Sequence, residues 1–319
     1  MRDGWYGLRS SDRLLHAGAF NWTFTLGTGL MDPWTCGATA LIASPGTPLD
    51  ALPALLAASK ATIFAAAPGV YRRLLRADIP ELEHLRHGLS AGEALPEHTR
   101  TAWRSRTGTD IFEAFGMSEC STFVSAAPGK PAATGALGRP QPGRRVALLD
   151  SSGAPSQAGT IAVHRSDPGL MLGYLEPAGT LHKPLRGDWF ETGDLGRRLP
   201  GGDIVYAGRA DDMMNAGGYR VSPLEVEGAL QPAAGLRAIA AIEVEIKPGV
   251  QVIAALYTAD PDCTASVMEE RLRALAIAGL ADYKRPRIYL RKDALPTSPN
   301  GKLQRKLLRD TFEVPHDKT

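Results

Sequence analysis

The sequence has little cysteine, no long apolar run and almost no net charge. Its three cysteines, Cys36, Cys120 and Cys263, stand far apart and form no CxxC pair. That spacing argues against a disulfide framework or a zinc site, and fits a reducing compartment, so the cytoplasm is the expected location. No apolar stretch approaches the roughly 18 residues of a membrane-spanning helix, and the opening MRDGWYGLRSSDRLL has no apolar core of a secretory leader. A formal charge of +2 gives no broad basic field, so no nucleic-acid partner is expected. Neither GxxxxGKS, GxxxxGKT nor GxGxxG occurs, and there is no internal repeat or low-complexity tract.

What is present is ordinary for a globular protein: 319 residues, 44% hydrophobic and 22% charged, enough for one large or two medium domains. Residues 39–43, 62–66, 86–89 and 110–115 read as short apolar strands. Residues 50–58 carry Leu52, Leu55 and Leu56 at helical spacing, 70–75 form a short helix after a Pro68–Gly69 turn, and 96–103 form a helix opened by proline. Such alternation predicts a mostly parallel sheet covered by helices, with ligands gathering at the carboxyl ends of its strands. From 136 to 206 the pattern changes to short strands between Gly and Pro turns (145–149, 160–164, 203–206), a β-rich subdomain. Beyond it lies an α/β unit with strands near 238–246 and 250–257. Its helix over 264–276 places Met268, Leu272 and Leu275 on one face.

The stretch 206–227, YAGRADDMMNAGGYRVSPLEVE, joins these regions. Arg209, Asp211 and Asp212 make a polar turn of the composition expected at an interdomain hinge, and Gly217–Gly218 can lie close to a ligand. Ser222, Pro223 and Glu225 predict a helix start with a capping box. Other stretches carry chemistry by residue type. Phe115-Gly116-Met117-Ser118-Glu119 offers a stacking ring, a hydroxyl and a lone carboxylate of the kind that holds magnesium beside phosphate oxygens. In WFETGD, Asp194 is a carboxylate able to accept hydrogen bonds, and in TSPNGKLQR, Lys302 is a cation among other basic residues. By residue type alone, each of these also reads as an ordinary turn, loop or basic surface.

Taken in order, these stretches resemble the adenylate-forming superfamily of acyl-CoA and aryl-CoA synthetases, adenylation domains and luciferases. The hinge match comprises Gly208, Arg209, Asp211, Asp212, Gly218, Arg220, Val221, Pro223, Glu225 and Glu227. The resemblance implies that Phe115 packs on adenine, that Gly92 and Glu93 in SAGEALP and Gly116 line the nucleotide, and that Ser118 meets the α-phosphate. It further implies that Glu119 holds magnesium, that Asp194 and Arg209 bind the ribose, and that Lys302 is catalytic. Asp211 becomes the hinge, Gly217 and Gly218 the coenzyme A path, and Phe20, Asn21, Trp22 and Gly138 the acyl pocket. Phe115 replaces a commoner Tyr, Ser118 a commoner Thr, and Glu113 stands where an Asn or Asp often contacts adenine.

The implied fold is the remainder of a large layered α/β domain with a β-rich subdomain (1–209), plus a small α+β lid domain (210–319). The implied reaction uses ATP, magnesium and coenzyme A, with AMP as a product. A carboxylic acid attacks ATP to give an acyl-adenylate and pyrophosphate, and the CoA thiol then displaces AMP. The pattern of SPLEVE and DYKRPRIYLRKDALPTSPNGKLQR is most similar to benzoate-type CoA ligases, which points to an aromatic or medium-chain acid. The family's first signature, a Ser/Thr/Gly-rich loop ending in Lys that wraps the terminal phosphates, does not occur. A chain truncated at its N-terminal side is therefore expected. Two alternatives stay open here: a carrier protein as acyl acceptor, and a fragment that binds AMP or acyl-adenylate without making it; among partners, a homodimer also stays open.

Overall fold

The computed structural model describes residues 1–177, 179–216, 219–247, 250–298 and 303–312. They pack into two units: Met1–Thr192 with Gly196–Tyr206, and Gly193–Leu195 with Ala207–Thr319.

The first unit is built on a seven-stranded sheet in the order β2-β1-β3-β4-β5-β6-β7. Its strands are β1 (Arg13–His16), β2 (Thr39–Leu41), β3 (Ile63–Ala66), β4 (His87–Ala91), β5 (Ile111–Met117), β6 (Ser121–Ser125) and β7 (Arg139–Pro140). The first five run parallel, and β6 and β7 return antiparallel. β3 and β4 are buried along their whole length, as expected for parallel strands covered on both faces. Successive residues face opposite sides, so Leu14 and Leu15 enter different cores. Leu15, Phe64, Tyr71, Trp103 and Ile111 pack with the helices α3 (Leu52–Ala58), α4 (Pro68–Leu74) and α5 (Glu97–Thr107). Leu14, Ile63, Leu89, Phe112 and Ala114 pack with Trp5, Tyr6 and Phe24, the last on α1 (Thr23–Leu26), which precedes α2 (Asp32–Thr35).

A second sheet has the order β14-β13-β10-β8-β9. Its strands are β8 (Val146–Leu149), β9 (Pro155–Ser156), β10 (Ala158–His164), β13 (Trp189–Arg198) and β14 (Ile204–Arg209). The hairpin β11 (Tyr174–Leu175) and β12 (Leu181–His182) is separate. Phe123, Leu148, Ile161, Val163, Phe190 and Ile204 form the core under the second sheet.

In the second unit, β15 (Met214–Ala216) and β16 (Tyr219–Val221) pair antiparallel and lead into α6 (Pro223–Leu230). A three-stranded sheet follows, with β17 (Leu236–Lys247) antiparallel to β18 (Val250–Ala259) and β18 parallel to β19 (Ile288–Arg291). Its two faces carry separate cores, one with α7 (Ala265–Gly279) and one with α8 (Arg305–Asp310). Met268 and Leu272 are buried on the apolar face of α7, and Thr264 caps it by accepting from Val267 N.

Two local expectations change, and one strand was not anticipated. Pro68 and Gly69 do not make a turn but open α4, because proline fits the first helical position. The capping box on α6 does not form. Ser222 is the N-cap, but its Oγ is buried without a hydrogen-bond partner among the described residues, and Glu225 pairs with Lys284 instead. β1, a central strand, carries too short an apolar run to stand out in the sequence.

Candidate functional site

Because β1, β3, β4 and β5 are parallel, their carboxyl ends share one edge of the sheet. Phe20, Asn21 and Trp22 follow β1 there. Gly92 and Glu93 follow β4. Phe115 and Gly116 close β5, and Ser118 and Glu119 form the turn after it. The fold therefore gathers at one edge three stretches separated by up to about 100 residues of sequence, as expected where ligands bind open α/β sheets.

Trp22 and Gly92 are in direct contact. A Cβ on Gly92 would lie 2.7 Å from two indole atoms of Trp22, and Gly92 has φ +97°, so both space and conformation call for glycine. Trp22 is fixed edge-on against Phe24, with centroids 5.1 Å apart. Phe20 and Asn21 are exposed.

The half-buried Phe115 ring meets Phe123 edge-on at 5.2 Å and Tyr206 at 5.5 Å. Gly116 lies where β5 and β6 slip register, and a Cβ there would meet Ser121 O at 2.4 Å. Ser118 is exposed and Glu119 half-buried. Tyr174 OH donates to Glu119 Oε1 at 2.9 Å, and the Glu119 backbone carbonyl accepts from Met171 N at 2.7 Å. No cluster of three or more His, Cys, Asp or Glu among the described residues could hold a metal. A single carboxylate such as Glu119, completed by phosphate oxygens, suits magnesium, which tolerates few protein ligands. Gly138 lies beside β7, on the side of the sheet away from β1 and the Phe20–Trp22 stretch that follows it, and its carbonyl accepts from Ile204 N at 2.7 Å.

Glu113 takes a role that residue type alone did not give. Its carboxylate is buried, accepting from Leu95 N at 2.9 Å and from Arg100 Nη2 at 3.0 Å. It thereby ties the 92–95 loop to β5 and α5. Burial pushes its carboxyl up to about 7, against the opposing pull of the Leu95 amide and Arg100. A lone acid in the apolar run IFEAF was the available signal. Tyr174 had no local signal, since it reaches Glu119 from 55 residues away.

In the second unit, Asp194 is buried on β13 and Arg209 ends β14. Arg209 Nη1 stands 3.8 Å from Asp194 Oδ2, too long for a hydrogen bond, while its Nε and Nη2 reach Asp211 at 3.0 and 3.2 Å. That forked contact holds the exposed Asp211 carboxyl below its usual range. Asp212 pairs with Arg309 at 3.2 Å, and Arg305 grips the half-buried Glu227 at 2.7 Å. Lys302, Gly217 and Gly218 lie outside the described residues.

The AMP-binding enzyme family matches residues 1–175, more than half of the chain. The chain belongs to the AMP-binding enzyme family. Relatives within and around this family agree along nearly the whole chain. It is 30% identical over 322 residues to 3-hydroxybenzoate–CoA ligase of Aromatoleum sp. (strain CIB), covering 98% of this chain and 61% of the relative. It is 30% identical over 318 residues to the mitochondrial acyl-coenzyme A synthetase ACSM3 of Rattus norvegicus, covering 96% and 55%. Its fold is similar to that of a benzoate CoA ligase from Burkholderia xenovorans LB400, with TM-score 0.85, 30% identity, and 97% and 64% of the two chains covered. It is also similar to the anthranilate CoA ligase AuaEII in complex with anthranoyl-AMP, with TM-score 0.83, 30% identity, and 95% and 60% covered. The chain thus spans 55 to 61% of the length of these two curated AMP-binding relatives. Among the described residues, no helix is long and apolar enough to cross a membrane.

Proposed function

We propose that the chain is the nucleotide- and acyl-binding portion of an ATP-dependent carboxylate–CoA ligase acting on an aromatic or medium-chain acid in the cytoplasm. One observation carries the reading. A single sheet edge brings the Trp22–Gly92 contact, the Phe115 ring and the Ser118–Glu119 turn together, in a chain whose relatives carry the names of aryl- and acyl-CoA ligases.

Phe115 presents a ring face to adenine. The 92–95 backbone, braced by Glu113, lines the base. The Ser118 hydroxyl donates to the α-phosphate, and Asp194 accepts from the ribose hydroxyls with Arg209 beside it. Glu119 is the carboxylate that holds magnesium, whose chemistry when bound is to neutralise charge on the phosphate oxygens. Trp22, with Phe20, Asn21 and Gly138, borders an apolar acid. Lys302 provides the cation that stabilises charge as the acid's oxygen attacks the α-phosphate and pyrophosphate leaves. Residues 210–319 serve as the moving part, turning at Asp211. The path along Gly217 and Gly218 admits coenzyme A, whose sulfur attacks the acyl carbon, expelling AMP and losing its proton.

The test is benzoate-dependent ATP–pyrophosphate exchange by the whole-length enzyme containing this chain, followed by CoA thioester formation. Exchange is expected. Lys302→Ala should lower it by about 100-fold or more, as for loss of one transition-state charge contact, while thioester formation from preformed benzoyl-adenylate stays near wild type. Equal loss in both half-reactions would refute the role of Lys302. Nucleotide binding without exchange by any aromatic or medium-chain acid would leave a binding module in place of a ligase.

A further inference from the structure

The turn that presents Ser118 and Glu119 is closed by Ser121, which has φ +55°. This left-handed conformation disfavours a side chain, and hairpin turns usually give it to Gly or Asn. A serine persists there only where its surroundings over-determine it. The surroundings are specific. The carbonyls on either side of Ser121, Cys120 O and Thr122 O, accept from Nη2 and Nη1 of one guanidinium, Arg144, both at 2.6 Å. Arg144 Nε donates to Asp167 Oδ1 at 2.8 Å, and the guanidinium lies 5.7 Å from the Phe123 ring centroid. Asp167 is itself pinned, accepting from Arg145 N at 2.6 Å and Gly169 N at 2.8 Å. Both side chains are almost wholly buried, at 9% and 0% exposure, so neither is free to swing. A planar fork can grip two carbonyls and a carboxylate at once; a lysine ammonium has neither the reach nor the geometry.

We propose that Arg144, braced by Asp167, is a positioning residue: by holding both carbonyls around Ser121 it fixes the turn so that Ser118 and the Glu119 carboxylate meet a magnesium–nucleotide phosphate, an assignment that rests on the nucleotide reading of that turn. Arg144 acts through the backbone and does not touch the ligand. Its effect therefore falls on the magnesium-dependent part of binding, where Glu119 must be placed, and hardly on stacking of the base.

Three variants of the chain test this: Arg144→Lys, Asp167→Asn, and Arg144→Lys combined with Ser121→Gly. Two readouts are used, calorimetric affinity for ATP in magnesium and in EDTA, and amide hydrogen exchange over 117–123. Arg144→Lys should speed exchange in that segment. It should weaken affinity in magnesium by about tenfold or more, as for loss of a residue that orients a metal ligand, with little change in EDTA. Asp167→Asn, which loosens Arg144 without removing it, should show the same pattern more weakly and stands in if Arg144→Lys does not fold. Ser121→Gly removes the strain and should recover most of the loss, a rescue that a purely structural role for Arg144 does not predict. Unchanged exchange, equal loss with and without magnesium, or failure of the rescue overturns the inference and leaves the nucleotide reading standing. Wild-type affinity for ATP that is the same with and without magnesium overturns the inference alone, and a wild-type chain that binds no ATP in either medium overturns both.

Discussion

At Glu113, burial and hydrogen bonding pull in opposite directions. The carboxylate is satisfied by Leu95 N and Arg100, yet desolvation raises its carboxyl to about 7. The charges facing it come from α5, Arg100 and Glu97; β4 brings Ser90 to the paired position. An unfolded glutamate titrates near 4.5. Between that value and about 7, the native state keeps a proton that the unfolded state has released, so the contribution of Glu113 to stability falls as pH rises through this window. Glu113→Gln removes the titration. Its unfolding free energy should therefore gain on wild type by ~3 kcal/mol between pH 4 and pH 8, measured by urea denaturation at each pH. A pH-independent difference would contradict the assignment. The sequence marked Glu113 only as a departure from an adenine-contact position. Its true partner, the Leu95 amide, depends on which loop lies over the strand, and one-dimensional pattern does not carry that.

At the scale of elements, the β5–β6 hairpin holds the motif to which the proposal assigns the nucleotide. Gly116 lets the two backbones close at the register slip, with Ser121 O and Thr122 Cα at 2.4 and 2.6 Å from where a Cβ would stand. Because those neighbours are backbone atoms, they cannot step aside as a flexible side chain would. Gly116→Ala should cost about 1–3 kcal/mol of stability and weaken AMP binding by displacing Phe115 and Ser118 together, as thermal unfolding and calorimetry would show. Full stability with unchanged AMP affinity would mean that the hairpin's closure does not position the site. The parallel strands over 62–66 and 86–89 were legible because they are short apolar runs bounded by turns, and the helix of 264–276 because Met268 and Leu272 repeat at helical spacing. β1 was not, since RLLH is four residues with polar ends and becomes a central strand only through pairing with β2 and β3. The capping box failed for a tertiary reason: Lys284, 59 residues from Glu225, competes for its carboxylate. The grip of Arg144 on the turn was equally invisible, because its partners lie about 20 residues away on both sides.

For the molecule as a whole, family membership rests on the match over residues 1–175, and the fold shared with CoA ligases on agreement along nearly the whole chain. The reaction and the acid are the proposal. The motifs were legible because each sets a ring, a hydroxyl or a carboxylate at a turn or strand end; that they serve adenine, phosphate and ribose is part of the proposal. Their assembly was legible only in part: the alternation of strands and helices implied a shared edge, but the contact of Trp22 with Gly92 and the tethering of Glu119 by Tyr174 needed the fold. The central proposal is that this chain binds an adenine nucleotide, Phe115 serving the base and Asp194 the ribose. Equilibrium binding of AMP to the purified chain, measured by calorimetry alongside Phe115→Ala and Asp194→Ala, tests it most directly. The account predicts saturable one-to-one binding, weakened about tenfold or more by either substitution, each removing ~1.5–3 kcal/mol of stacking or charge-assisted hydrogen bonding. Absence of AMP binding by the wild-type chain, or equal affinity in all three proteins, would contradict it.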